Sequence, residues 1–237
     1  MKINTCYTVD IKSQYIFKDG QVAGTKRVDE AVMKATRTAC LDALKFCANT
    51  FLSEWDSLEE LNCLMRKRRG DLLIHSTKCN IAKYPEFDEN FPYLPSYMRR
   101  AIVADALGIV SSYISNHRNW EKLPVSERGS EPKMGYPTIY ELTFYDQDRI
   151  LDLSEGTIGL KLYSGTEWKW YYFRINESNA RYISKMAASR KLLSPVVEKS
   201  KGRYRIRFCF EENRKLVQNK NPFAYTILAV DLGINET

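Results

Sequence analysis

An aspartate near the end of the chain is the strongest candidate for chemistry. Asp231 follows an apolar, β-prone run at residues 225–230 and stands two positions before Gly233. A buried strand that ends in a carboxylate places this group at the edge of a sheet, where it can hold a divalent metal ion against a phosphate. Asp231 is therefore the candidate catalytic and metal-binding residue.

The Asp-x-Gly pattern allows three interpretations. In ribonuclease-H-like nucleases, an aspartate at the end of the first strand holds a catalytic metal that activates water. Actin-like sugar kinases use a similar pattern to grip metal-bound phosphate, although usually near the N-terminus. The third interpretation is a simple turn, because Asp and Gly are common turn residues. The motif alone does not choose between them.

Arginines alternate along a predicted strand at residues 203–212. Arg203, Arg205 and Arg207 share one face, and the residues between them are aromatic or apolar. Such a row can contact a phosphate backbone. The alternative, which the pattern alone favours, is a half-buried strand with a solvated face.

A run of basic residues ends a predicted helix through residues 57–70: Arg66, Lys67, Arg68 and Arg69. The glycine that follows is expected to cap this helix. The run is either a nucleic-acid patch or a set of cations placed at a helix C-terminus, where the dipole favours them.

Arg99 and Arg100 open another predicted helix, just after Pro95. The helix dipole disfavours cations in a first turn, so these arginines point to an anionic partner.

An aromatic stretch is formed by Trp168, Trp170, Tyr171, Tyr172 and Phe173. It could be a stacking surface for bases. The favoured interpretation is mostly β core with one face exposed, because aromatic residues are enriched in strands.

Composition narrows the classes of protein. The chain of 237 residues has a net charge of +7 and a pI near 9.0, as is common for proteins with an anionic partner. Its six cysteines include no CxxC pair, so a zinc site is not expected. No apolar run approaches eighteen residues, so no membrane span is expected. These features are typical of a reduced, cytoplasmic protein.

The hydrophobic period changes twice along the chain. Residues 3–24 alternate with a period of two, residues 26–120 repeat every three or four positions, and residues 136–215 return to short strands. A short helix is expected at 178–194. Because the first strands need the later ones to complete a sheet, the predicted fold class is α+β, with a helical block inserted into a β domain.

In combination, four segments resemble the TnpB (OrfB) family of insertion-sequence proteins. They are LPSYMRRAIVADALGIVSSYISNHRNW, GSEPKMGYPT, GTEWKWYYFRI and AVDLGINET. The first resembles the helix before the family's β region, the second its link into that region, the third its barrel strands and the fourth its first RuvC motif. The resemblance covers most of the chain and is strongest from Pro95 onward, whereas the first thirty residues depart from the family's opening.

The resemblance implies a wedge β-barrel, of the OB-like kind, that holds a helical recognition insert and is followed by a RuvC (ribonuclease-H-like) domain. The implied boundaries are 1–25 and 121–222 for the wedge, 26–120 for the insert and 223–237 for the first RuvC strand.

It also implies a mechanism, RNA-guided cleavage of double-stranded DNA. Guide RNA and target DNA would be the partners, with base pairing reading most of the target sequence. Two Mg²⁺ ions would be held by carboxylates, of which Asp231 is the first. The basic residues named above would contact nucleic acid together with Lys133, and the protein would be bacterial and associated with the nucleoid.

One expectation departs from the family. A ribonuclease-H-like domain needs on the order of a hundred residues, and one carboxylate cannot build a two-metal site. The chain is therefore expected to be cleavage-incompetent on its own, as the N-terminal portion of such an endonuclease. A stand-alone RNA- or DNA-binding module is the alternative, and an unrelated basic protein is a third.

Overall fold

A computed structural model describes residues 2–213 of the protein. Three strands come first, at β1 (Lys2–Asp10), β2 (Ser13–Lys18) and β3 (Gln21–Lys26). Five helices follow, at α1 (Glu30–Ser53), α2 (Trp55–Glu59), α3 (Cys63–Ile74), α4 (Glu86–Asn90) and α5 (Ser96–Lys122). The remaining elements are β4 (Leu142–Thr143), β5 (Arg149–Asp152), β6 (Thr157–Tyr163), β7 (Trp168–Arg174), α6 (Glu177–Ser189), β8 (Lys191–Leu192), β9 (Val196–Ser200) and β10 (Arg203–Asn213).

The strands form two antiparallel sheets. Sheet A has the order β1-β10-β9-β4, with β8 also paired to β10, and sheet B has the order β3-β2-β7-β6-β5. The first strands are thus completed by late ones, since β1 pairs with β10 from Lys2 opposite Asn213 to Asp10 opposite Arg205. Helices α1 to α5 lie in sequence between strands of these two sheets, and the α+β class is confirmed.

The predicted closed barrel is not seen in residues 2–213. The chain crosses between the sheets at Ile11 and Lys12, whose N–H groups donate to the carbonyls of Tyr204 in sheet A and Arg174 in sheet B. At the opposite corner a 3-10 turn at Asp146–Asp148 separates β4 from β5, and no ladder joins these two strands. The two sheets share one apolar core but stay separate, because hydrogen bonding is interrupted at this corner.

Helix α1 organises the helical block. Its N-cap Asp29 accepts hydrogen bonds from the backbone N–H groups of Ala31 and Val32, which satisfies the first turn. Cys40 and Cys47 lie fully buried on the face that packs in the core, as predicted for core thiols. Burial raises the pKa of both thiols, so they stay protonated and unreactive.

The helix predicted through residues 57–70 is in fact two helices. Asn62 interrupts it, because its side chain accepts from the N–H of Met65 and starts α3. Gly70 lies inside α3, where an added Cβ would be 3.1 Å from the ring of Phe51 in α1. The prediction that Gly70 caps a helix was therefore wrong, and the basic run occupies the middle of α3.

A disulfide corrects the prediction of reduced cysteines. Cys6 and Cys209 are direct cross-strand partners in β1 and β10, with Cα atoms 4.2 Å apart, and their sulfurs are bonded. They are 203 positions apart in sequence, so local spacing gives no sign of the pair. The strand register alone brings them together.

Candidate nucleic-acid interface

The β10 arginines lie on the outer face of sheet A, as the alternation predicted. There they meet carboxylates: Arg205 Nε donates to Asp10 Oδ1 at 2.9 Å, and Arg203 Nη1 lies 3.5 Å from Asp10 Oδ2. The strand register explains the contact, since Arg205 stands opposite Asp10. One aspartate therefore balances two of the three candidate cations.

Arg207 is held more firmly. Its guanidinium lies between Glu198 at 3.0 Å and Glu141 at 2.8 Å. Glu198 comes from the neighbouring β9, and Glu141 precedes β4. The outer face of sheet A therefore carries basic and acidic side chains that pair with each other.

Arg66 has a structural position. Its guanidinium donates to the carbonyls of Leu58 and Leu61 and stacks on the ring of Trp55 at 5.1 Å. Carbonyls at the end of a helix lack intrahelical partners, so Arg66 closes the C-terminus of α2.

The other three residues of the basic run have exposed side chains. Lys67, Arg68 and Arg69 are exposed and form no ion pair among the described residues. Lys67 lies near Asp105 of α5: burial raises the pKa of that carboxyl, and the charge of Lys67 offsets a small part of the rise. Arg69 instead lies near the ion pair between Glu54 and Lys83 and interacts electrostatically with both side chains. The run therefore spreads around α3 rather than forming one patch.

The pair at the start of α5 divides in the same way. Arg99 is buried and its Nε donates to Asp71 Oδ1 at 2.7 Å, which ties α5 to α3. Arg100 is exposed, and its guanidinium lies 5.1 Å from the ring centre of Tyr97. Arg100 alone is available to an external anion.

A groove of about 890 Å³ lies between α5 and the chain segment 133–143. It brings Lys133 and Arg207 to one site, with the polar side chains of Tyr113 and Asn116 on the α5 wall. Lys133 is exposed and forms no ion pair with residues 2–213. Tyr113 and Asn116 were missed from the sequence, and their only signal is the three-residue spacing that puts both on one helix face.

The groove also contains an aspartate–tyrosine pair. The hydroxyl of Tyr140 donates to Asp105 Oδ2 at 2.7 Å and so connects the segment to α5. Solvent reaches Asp105 through the groove, yet the protein atoms crowded around its carboxylate raise its pKa. Burial, the negative charge of Asp105 and this hydrogen bond raise the pKa of Tyr140. Tyr140 therefore stays a protonated donor.

The aromatic stretch divides between core and surface, as expected. Phe173 is buried between the sheets and Tyr171 is half-buried on the same side, whereas Trp170 points outward and is 36% exposed.

The predicted catalytic residue, Asp231, lies outside the described residues, as does the proposed first RuvC strand. Residues 2–213 contain no group of three His, Cys, Asp or Glu side chains arranged to hold a metal ion. Within the same range, no helix is both long enough and apolar enough to cross a membrane.

Comparison with models of protein families gives a match. The model of the Aq_aa04 family matches residues 21–164, which run from the start of β3 through the five helices to just past β6. A search of curated proteins finds no match. Neither result connects the chain with the TnpB (OrfB) family, so that resemblance stays a prediction. Because the match covers more than half of the chain, this protein belongs to the Aq_aa04 family.

Proposed function

We propose that this protein binds RNA in the groove between α5 and segment 133–143. The observation that carries the proposal is the exposed Lys133, which lines the groove and forms no ion pair with residues 2–213. Phosphate groups are the natural partners of such cations, and Tyr113 and Asn116 offer donors for sugar and phosphate oxygens.

The wider role that we propose follows from the resemblance. The chain serves as the guide-RNA- and target-DNA-binding portion of a TnpB-like RNA-guided DNA endonuclease, with the two sheets as its wedge and α1 to α5 as its recognition insert. Asp231 would be the first carboxylate of the RuvC site, which takes Mg²⁺. The order of strands, inserted helices and returning strands supports this proposal. The double-stranded DNA partner would place the protein at the nucleoid.

Gly108 offers a direct test of the groove. It lies in the α5 wall, and an added Cβ would meet no atom within 4 Å. Gly108→Phe should therefore place an aromatic ring in the groove, while Gly108→Ala adds only a methyl group and leaves it open. With a fluorescently labelled RNA hairpin, Gly108→Phe should weaken binding by about tenfold or more, the equivalent of about 1.4 kcal/mol.

The second measurement is the dependence of RNA affinity on salt concentration. The logarithm of affinity should fall linearly with the logarithm of salt concentration, and Lys133→Ala should make the slope shallower by about one. Wild-type affinity in Gly108→Phe, or a flat response to salt, would contradict the proposal.

A further inference from the structure

The outer face of sheet B presents aromatic rings to solvent. Alternation in β6 and β7 turns Leu160 and Phe173 into the core and turns Trp170 and Tyr172 outward. Strand β2 adds Phe17, which is 47% exposed. The three outward rings come from neighbouring strands, so they form one surface, which we call the aromatic face.

The aromatic face is held in place by its packing. The rings of Phe17 and Tyr172 meet edge to face, with centroids 5.2 Å apart. Tyr172 lies across Gly159 in β6, since an added Cβ there would be 3.0 Å from the tyrosine ring. Among the described residues, no ring stacks on Trp170. The aromatic face thus combines two rings that pack against each other, Phe17 and Tyr172, with the indole of Trp170, on which no ring of the described residues stacks.

Cations accompany these rings. Lys161 stands directly opposite Trp170, and Arg174 is on the same outward side of β7. Neither forms an ion pair with residues 2–213, although Lys161 lies close enough to the buried Asp148 for its charge to offset part of the rise that burial causes in the pKa of this carboxyl. The outward carboxylate of Asp152 lies in the same cross-strand row as Arg174, with Thr157 between them, and accepts a hydrogen bond from the hydroxyl of Ser154. The charge on the aromatic face is therefore complementary to phosphate.

We propose that the aromatic face binds single-stranded nucleic acid, with unpaired bases stacked on Trp170 and the Phe17–Tyr172 pair, and phosphates near Lys161 and Arg174. Stacking on aromatic side chains accepts every base, because each base has a π face. A duplex keeps its bases inside the helix and cannot use these rings. This site is separate from the groove and does not require that the groove bind RNA.

The probes are fluorescein-labelled oligouridine and oligothymidine of about 12 nucleotides, within the usual range of site sizes, and a duplex of the same length. Trp170→Ala should weaken binding of the single strands by about 5- to 100-fold, and Trp170→Phe, which keeps a ring, should retain most of the affinity. Binding should also quench the tryptophan fluorescence. Tyr93→Ala is the matched control, since Tyr93 is 92% exposed and lies outside the sheet.

Thermal melting of each variant separates binding from folding, and Phe17→Ala gives a second ring deletion should Trp170→Ala unfold. Paired loss of Lys161 and Arg174 should make the salt slope shallower by about two. A preference for either oligonucleotide supports the proposal.

Three results would overturn the proposal. One is wild-type affinity in both ring deletions, another is equal binding of duplex and single strand, and the third is a dimer that Trp170→Ala dissociates. Loss of binding in Gly108→Phe but not in Trp170→Ala would leave only the groove as a site. The opposite pattern would leave only the aromatic face.

Discussion

The outer faces of the two sheets carry opposite kinds of surface. On sheet A the outward side chains are charged and paired, with Arg205 on Asp10 and Arg207 between two glutamates. On sheet B they are aromatic and open, with Phe17 and Trp170 in solvent. Both faces arise from the same two-residue alternation. On sheet A the charged side chains pair with each other, whereas on sheet B the aromatic rings remain accessible to a partner.

The difference shows that a basic strand and a binding surface are separate properties. An arginine that already holds a carboxylate must lose that partner before it can hold a phosphate, whereas an exposed ring can stack without breaking a contact. The arginines that are most conspicuous in the sequence are therefore weaker candidates for an interface than Lys133 or Trp170.

The largest expected effect concerns the covalent bond on sheet A. Reduction, or Cys6→Ala, should lower the free energy of unfolding by about 2–5 kcal/mol, because the bond closes a very long loop. Urea denaturation with and without dithiothreitol measures the change. Cys79→Ala removes an exposed free thiol and should have no effect. An unchanged midpoint on reduction would show that sheet A does not depend on the bond.

The second prediction tests the packing of sheet B. Gly159→Val should cost about 1–3 kcal/mol, because the new side chain forces Tyr172 and Ile150 aside. Gly24→Val is the control in the same sheet, since a Cβ at Gly24 meets no atom within 4 Å. Thermal melting should separate the two variants, and equal stability would argue against a fixed aromatic face.

The third prediction uses a buried carboxylate beside sheet B. Asp148 is 2% exposed, and its Oδ2 has no hydrogen-bond partner among the described residues. Asp148→Asn should therefore raise the free energy of unfolding at pH 7 by about 1 kcal/mol, because an amide costs less to bury than a charge.

The effect of Asp148→Asn on the free energy of unfolding should depend on pH. Burial raises the pKa of Asp148 above its ordinary value of 3.8, so the folded state binds this proton more tightly than the unfolded chain. The free energy of unfolding of the wild type then falls as pH rises through the raised pKa. The advantage of Asp148→Asn should vanish below about pH 4. A gain that is independent of pH would contradict this account.

The smallest effect on stability is expected from unpairing sheet A. Asp10→Asn releases Arg203 and Arg205 and should change the free energy of unfolding by less than about 1 kcal/mol, because the pairs are partly exposed. The freed arginines should tighten RNA binding and steepen the salt slope by about one to two. Asp56→Asn removes the same charge elsewhere, and an equal gain in that variant would assign the effect to net charge alone.

Local pattern predicted much of the fold. The alternation at 203–212 identified both faces of β10, and the three- and four-residue spacing identified the long α1 and α5 helices. Boundaries set by single side chains were harder to predict. Asn62 divides a continuous helical pattern through one capping hydrogen bond, and Gly70 serves close packing rather than termination.

The candidate site was predicted less well, because the linear sequence does not show which charged side chains pair with each other in the folded protein. Of the predicted contacts, Arg66 and Arg99 are engaged inside the protein, while Lys67, Arg100 and Lys133 form no ion pair with the described residues. The groove depends on α5 meeting a segment that follows it in the chain, so its walls could not be placed from spacing. Asp231 lies outside the described residues and stays a prediction.

The sequence by itself determined the class of each element and which side chains of each strand point inward, because hydrophobic period and turn residues act over a few positions. Tertiary structure decided everything that depends on register between distant strands. It placed Cys6 against Cys209 and Asp10 against Arg205. Such pairings require many residues to pack at once, so no local window of the sequence contains them.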